Sequence, residues 1–358
     1  MVSRRALMLA AGALASSRTS AQTQYPDVFP RPLNFPRDHG AHPDYRTEWW
    51  YMTGWLDGPG APIGFQITFF RTRTTIDPAI PSAFAARHLV IAHAAIADPA
   101  RGALLHDERI ARTGFGAASA STEDTDVLLD RWRLVRSLQS GAYRGIVAAR
   151  GFTLELDARP TQPLLLQGEA GYSRKGPLAT QASYYYSQPQ LAVRARVTRD
   201  GKSEERAGQG WLDHEWSSTL LADDATGWDW IGMNLDDGSA LTAFSIRSRQ
   251  SGSAPLHAYA SLRPRGGNVQ TFGPHEVRFS TLTDWTSPRT RATWPVSREV
   301  RIGDRTFTTQ PLMDDQELDS RTSTGAVYWE GASRLLESGK PVGRGYLEMT
   351  GYVAPIRL

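Results

Sequence analysis

The 358-residue sequence contains no cysteine. That excludes disulfide frameworks, thiolate metal sites, cysteine nucleophiles and lipid attachment at a cysteine behind a leader. Lysine is nearly as scarce: Lys175, Lys202 and Lys340 are the only three, and arginine supplies the rest of the 40 basic residues. Beyond the first two dozen residues no stretch is apolar for long enough to cross a bilayer as a helix. Recurrent catalytic signatures are missing as well. Gly171-Tyr172-Ser173-Arg174-Lys175 starts like a Gly-x-Ser-x-Gly elbow and lacks the closing glycine. Neither His214-Glu215 nor His275-Glu276 has the second histidine of a metalloprotease helix motif. No glycine loop is patterned to cradle phosphate, and a standard hydrolase has no support.

What is present begins with a leader. Residues 1–5 form a short basic start, 6–15 an apolar run, and Thr19-Ser20-Ala21 ends in a small-residue cleavage pattern. Residues 1–21 are therefore expected to be a secretory signal, and the adjacent Arg4 and Arg5 point to the twin-arginine route. The mature protein is expected in the periplasm or outside the cell. Without Arg4, Arg5 and Arg18, 37 basic residues face 37 acidic ones. Nucleic acid and anionic membrane surfaces thereby lose their electrostatic argument as partners.

The rest reads as strand after strand. Residues 48–56, 64–73, 89–97, 128–135, 143–149, 152–157 and 191–198 are β-branched or aromatic runs bounded by Gly, Pro and Asp. Tight hairpins are expected at Arg199-Asp200-Gly201, Asp236-Asp237-Gly238 and Ile302-Gly303-Asp304. The clearest hairpin joins 228–235 to 239–247. Short helical turns are expected near 78–86. Many short antiparallel strands imply sandwiches or barrels. The small, polar seam at 217–226 divides the chain into two β-barrel-like domains, 34–218 and 225–356.

Seven of the 11 tryptophans lie in or beside two short patches. One runs from His39 through His42 and Glu48 to Trp49, Trp50 and Tyr51, with Trp55 just beyond. The other runs from Trp211 through Asp213, His214 and Glu215 to Trp216, followed by Trp228, Asp229 and Trp230. Strand alternation sorts them. Glu48 and Trp50 share one face, with Trp49 and Tyr51 opposite. His214 and Trp216 share a face, with Trp211, Asp213 and Glu215 opposite. Trp228 and Trp230 are paired, and Asp229 faces away. A barrel interior is the expected place where such mixed faces would collect.

A carboxyl group among indoles has a raised pKa, can deliver a proton near neutrality, and is flanked by ring faces that stabilise a developing cation. That combination suits addition of water to an unactivated C=C bond. The competing readings are core packing by the tryptophans and ion pairing of the carboxylates with Arg46, Arg71 or Arg73. The His39-x-x-His42 pair with Asp38 and Asp44 offers half a metal site and no third ligand at a telling distance, so no metal is expected. Histidines of that kind pin loops by hydrogen bonds.

The segments 35–42, 48–51, 210–216 and 227–230 resemble the AttH-like family of secreted proteins, predicted hydrolases related to carotenoid 1,2-hydratases (hydroxyneurosporene synthases). The resemblance runs from about residue 35 to 353. It implies an all-β fold of two lipocalin-like antiparallel β-barrel domains packed in tandem. The related hydratases add water to the terminal double bond of acyclic carotenoids without a redox cofactor, and the Asp213-His214-x-Trp216 element gives His214 and Trp216 an active-site expectation. Their Tyr-x-Asp acid on a later strand has no counterpart in 239–245, so the proton is expected from Glu48, Asp213, Glu215 or Asp229.

The resulting expectation is an exported, cofactor-independent, hydratase-like carbon–oxygen lyase acting on an apolar isoprenoid or polyene. Glu48, Asp213, His214, Glu215 and Asp229 are the catalytic candidates. Trp49, Trp50, Tyr51, Trp211, Trp216, Trp228 and Trp230 are the substrate-binding candidates, and His39 and His42 orient the loop. The alternatives are a non-catalytic carrier of lipophilic molecules, an accessory to a membrane export system, or aromatic clusters that merely cement two barrels. The partner is a small apolar molecule, without nucleic acid or stable membrane insertion.

Overall fold

The computed structural model describes residues 24–250 and 252–356, so the expected leader at 1–21 lies outside the described residues. Among the described residues, 23 strands follow one another. The first sheet holds β1 (Thr47–Asp57), β2 (Ile63–Arg73), β3 (His88–Ala97), β4 (Leu105–Arg112), β5 (Ala118–Ala120), β6 (Asp126–Leu129) and β7 (Trp132–Arg136). It continues with β8 (Tyr143–Ala149), β9 (Phe152–Pro160), β10 (Leu165–Leu166), β11 (Tyr172–Arg174), β12 (Ala182–Arg199) and β13 (Lys202–Ser217). The second holds β14 (Ala225–Leu235), β15 (Ala240–Ser248), β16 (His257–Arg263), β17 (Gln270–Phe272), β18 (Val277–Thr286) and β19 (Thr293–Ile302). Its last members are β20 (Arg305–Pro311), β21 (Glu317–Ser320), β22 (Ala326–Glu337) and β23 (Lys340–Thr350).

Every pairing is antiparallel. The first sheet runs β4-β3-β2-β1-β13-β12-β9-β8-β7-β6-β5 and curls into a nearly closed barrel; the second runs β17-β16-β15-β14-β23-β22-β20-β19-β18 as a half-barrel. The fold is therefore all-β, in tandem, as the strand pattern and the turn chemistry imply. At the β12–β13 hairpin both central residues, Asp200 and Gly201, have positive φ (49° and 74°), the conformation that a tight primed turn requires. Residues 78–86 form turns rather than helix. Pro78 and Pro81 interrupt any helical ladder, and Asp77 caps the Ala79 amide from its side chain at 2.8 Å.

Three apolar layers result. Trp50, Met52, Phe65, Ile67, Phe69, Trp132 and Leu212 fill the first barrel. Ile231, Met233, Trp294, Trp329 and Leu347 fill the second. Between them Tyr51, Trp55, Trp211, Trp230, Phe244 and Tyr346 make a layer from the outer faces of both sheets. Polar contacts lock that layer: Trp55 Nε1 donates to Gly345 O at 2.9 Å, and Asn234 links Gly210 O (3.0 Å) to the Gln190 amide (2.8 Å). Gly64 lies where a Cβ would collide with Ala332 Cβ and the Tyr346 hydroxyl, at 2.6 and 2.7 Å, so only glycine lets the two sheets approach this closely.

Candidate functional site: a cleft between the two sheets

Strand alternation distributes the two aromatic patches over three places rather than into one barrel interior. On β1, Glu48 and Trp50 point into the first barrel, and Trp49 and Tyr51 point toward the second sheet. On β13, which pairs with β1 residue for residue (Glu48 opposite Trp216, Tyr51 opposite Asp213), Asp213 and Glu215 likewise face the second sheet. On β14, Trp228 and Trp230 face the first. These outward faces enclose a narrow cleft of about 70 Å³, apolar in bulk with a few polar groups aimed inward, the pattern of a pocket for an apolar molecule.

Trp49, Phe70, Leu221, Trp228 and Glu348 are only half-buried and form its mouth, while Tyr51, Tyr185, Asp213 and Glu330 are buried deeper. Tyr51 donates to Glu330 Oε2 at 2.5 Å. Asp213 accepts three bonds, from Tyr185 (2.7 Å), Ser187 (2.6 Å) and Trp211 Nε1 (2.7 Å). Trp230 Nε1 in turn donates to the Tyr185 hydroxyl at 3.0 Å. Trp228 Nε1 donates to Glu348 Oε1 at 2.7 Å. Lys175, the one cation of the lining, pairs with Glu215 at 3.0 Å; its ammonium lies 4.6 Å from the Tyr185 ring centre and 4.1 Å from that of Phe244.

Glu330 on β22 stands directly opposite Glu348 on β23, so both side chains leave the same face of the sheet. Burial pushes the Glu330 carboxyl up to about 7. Glu348 is held well above the ordinary carboxylate range, first by burial and then by the negative charge of Glu330. Burial likewise raises Asp213 to about 7, against the pull of its three donors. Burial lowers the Lys175 ammonium, with Glu215 opposing. The cleft thus keeps protonated carboxyl groups near neutral pH beside indole faces.

Glu48, on the other side of the same sheet, has a different role. It accepts from Arg71 Nε (2.7 Å), His214 Nε2 (3.0 Å) and the His42 amide (2.9 Å), and its Oε1 lies 2.7 Å from His42 Nδ1. Asp38 meets His42 Nε2 at 3.1 Å, and Tyr186 bridges His214 Nδ1 (3.1 Å) and His39 Nδ1 (2.8 Å). Trp216 stacks on His42 with ring centres 3.7 Å apart, and Trp50 on His214 at 4.6 Å. Burial opposes ionisation of Glu48, but the charges of Arg71 and His42 outweigh it and hold this carboxyl well below its usual range. Burial lowers His39 to about 3 and His214 to about 4. His42, Glu48 and His214 bring ligand atoms within 4.8 Å of one another, the one such triad among the described residues. Each nitrogen already has a partner and Arg71 holds the second carboxylate oxygen, so the arrangement fits a network that pins residues 38–48 into the barrel better than a cation site.

Of the candidates read from the sequence, Trp49, Tyr51, Asp213, Glu215, Trp228 and Trp230 line the cleft, and Trp211 supports Asp213 from below. Glu48, Trp50, His214, Trp216, His39 and His42 belong to the barrel network. Asp229 does not face the cleft at all: it pairs with Arg298 at 3.0 Å, with Arg247, and with the Tyr352 hydroxyl at 3.0 Å inside the second barrel. Sequence reading missed Glu330, Glu348, Lys175 and Tyr185. The available signal was the alternation of Tyr328-Trp329-Glu330 and Tyr346-Leu347-Glu348, which sets a carboxylate beside aromatics on two successive strands.

The model of the AttH-like family matches residues 27–352 of this chain. The crystal structure of an AttH from Nitrosomonas europaea is 51% identical over 92% of this chain and 100% of its own, with a TM-score of 0.85. Kievitone hydratase from Nectria haematococca is 13% identical over 92% of this chain and 96% of its own, at a TM-score of 0.66. CghA with Sch210972 is 13% identical over 87% and 90%, at 0.56. At that identity the last two share the fold. None of the curated proteins compared matches the sequence.

Proposed function

The chain belongs to the AttH-like family, and from that premise we propose that it is a hydratase-like enzyme that adds water to a C=C bond of an apolar isoprenoid or polyene. The observation that carries this reading is the opposition of Glu330 and Glu348 in an aromatic cleft. Two carboxyl groups so close do not ionise together, and the proton they retain near pH 7 is available as an acid. That proton passes to one alkene carbon, leaving a carboxylate and a cation on the neighbouring carbon. The faces of Trp49, Trp228 and Trp230 stabilise the cation. Water bonds to the cation and returns a proton to the carboxylate, which closes the balance. Asp213, raised by burial, sits across the cleft as the second acid–base candidate. Lys175 pairs with Glu215, so that wall presents no unpaired charge whose desolvation would oppose an apolar ligand.

This reading moves the acid from Glu48 and Asp229 to the glutamate pair and leaves His214 a structural part of the barrel. It includes export through the leader at 1–21 and a reaction that draws on side-chain acids without a cofactor. The aromatic lining alone also favours a second reading, a non-catalytic carrier of lipophilic molecules, which needs no titratable group. The test is incubation of residues 22–358 with farnesol and with lycopene in heavy-oxygen water. The expected result is a labelled tertiary alcohol from the wild type and none from Glu330→Gln or Glu348→Gln. Tight binding of either compound with no labelled alcohol would favour the carrier.

A further inference from the structure

Water addition inside an apolar cleft needs a defined place for the water. We infer that Thr53 and Gln66 are that place: positioning residues that hold the nucleophilic water one pleat behind Tyr51. The inference rests on the hydratase reading. Thr53 on β1 and Gln66 on β2 stand directly opposite each other, on the face turned toward the second sheet. The next pair along these strands is Tyr51 and Thr68, both in the cleft wall. Two residues along a strand is about 7 Å, so the pair lies one pleat beyond the cleft wall formed by Tyr51 and Thr68.

Thr53 Oγ1 and Gln66 Oε1 are both buried, and neither has a hydrogen-bond partner among the described residues. Of the residues that carry such an atom, these two are register partners across a strand pair. A buried orphan of this kind is costly unless a water satisfies it, and two on register partners of one sheet face point to a shared polar seat. The Gln66 amide is oriented by Nε2, which donates to Thr68 Oγ1 at 2.7 Å, so its oxygen is the atom left over. An amide oxygen accepts a water proton, and a threonine hydroxyl gives or takes one. Together they anchor a water by two bonds and leave an oxygen lone pair for carbon. His93, opposite Thr68 on β3, extends the polar row. Its Nε2 meets Ser323 Oγ at 3.0 Å, and Ser323 donates to Glu108, so Nδ1 is a further orphaned acceptor.

The chemistry explains why a seat matters. A cation next to a carboxylate loses a proton and becomes a shifted alkene unless water is already in line. In the seat, the water oxygen forms the C–O bond and one of its protons goes to the Glu330–Glu348 carboxylate. Two experiments decide. A high-resolution crystal structure of the wild type is expected to show a water within hydrogen-bond distance of both Thr53 Oγ1 and Gln66 Oε1; a dry gap there overturns the inference whatever the protein catalyses. With farnesol, Thr53→Val and Gln66→Leu are expected to lower the ratio of labelled alcohol to isomerised alkene about tenfold, the equivalent of one hydrogen bond. A merely structural pair would lower both products together. Labelled alcohol at an unchanged ratio in both variants rejects the seat while the hydratase reading stands. No alcohol from the wild type rejects the reading, and the crystallographic water then still decides whether the seat exists.

Discussion

The Tyr51 hydroxyl on the first sheet donates a 2.5 Å hydrogen bond to Glu330 on the second. One contact therefore joins the two sheets and sets the acidity of the cleft, because a donor favours the charged carboxylate and opposes the burial that raises it. Tyr51→Phe is expected to raise the Glu330 midpoint above about 7. Carbon-detected NMR titration of the glutamate carboxyl reads this directly, and a downward move would break the assignment of Tyr51 as donor.

Glu48 is three residues from Tyr51 on the same strand and answers to different forces. Its folded-state pKa is depressed, so its contribution to stability is full above the ordinary carboxylate range and is lost progressively as pH falls from there toward its much lower folded-state midpoint. Glu48→Gln leaves Arg71 buried without its counter-charge. Breaking a buried pair in this way costs about 3–5 kcal/mol. Urea unfolding should show that loss, with farnesol affinity preserved in the fraction that folds. Normal stability together with lost chemistry would return Glu48 to the site.

Alternation of faces made half of the cleft legible in the sequence. The split of Trp49 and Tyr51 from Glu48 and Trp50, and of Asp213 and Glu215 from His214 and Trp216, is the split observed. Which side would hold the cleft was not legible, because it depends on how two sheets dock. Glu348 was hidden for a sharper reason. The two-residue turn at Ser338-Gly339 joins Glu337 to Lys340, and an unbroken ladder from there would set Glu330 opposite Leu347. A bulge at Leu335–Leu336 shifts the register by one and brings Glu348 opposite Glu330. Alternation within each strand shows which face a glutamate takes, but a one-residue slip decides which residue it meets, and neither strand announces that.

The docking of the sheets is expected to depend on buried amides more than on surface charge. Arg344 and Asp57 form a bidentate pair at 2.8 and 2.6 Å, but Asp57 is half exposed. Asp57→Ala should change stability by no more than about 1 kcal/mol. Asn234→Ala strands the Gln190 amide and the Gly210 carbonyl and should cost about 1–3 kcal/mol. Paired denaturation curves compare the two, and the reverse order would show that surface charge governs the docking.

Comparing Trp228 with Glu330 separates ligand binding from proton delivery. Its half-buried indole lines the mouth of the cleft and donates to Glu348. Trp228→Ala should weaken farnesol binding about tenfold or more, since removing an aromatic contact costs at least 1.4 kcal/mol. Glu330→Gln should leave that affinity nearly unchanged, because an amide fills the same volume without a proton to give. Calorimetric titration of both variants would reject the cleft as the binding site if Trp228→Ala bound as the wild type does.

The last prediction concerns pH. With Glu330 as the acid, catalysis needs its proton, which it holds up to about 7, while Glu348 stays protonated above that value. Below that value the acid is present and turnover should be flat; as pH rises through it the proton is lost and turnover should fall. The sign is opposite to that of a catalytic base, which would gain activity over the same interval. In Glu330→Gln the remaining Glu348 loses its charged neighbour, so its midpoint should drop back toward the ordinary range, though burial keeps it raised. Asp213, also near 7, could mimic the wild-type profile, and Asp213→Asn distinguishes them. If the pair is the acid, that variant keeps the descending limb at the same pH with reduced turnover. If the limb disappears in Asp213→Asn and persists in Glu348→Gln, the proton comes from the first sheet instead of the second.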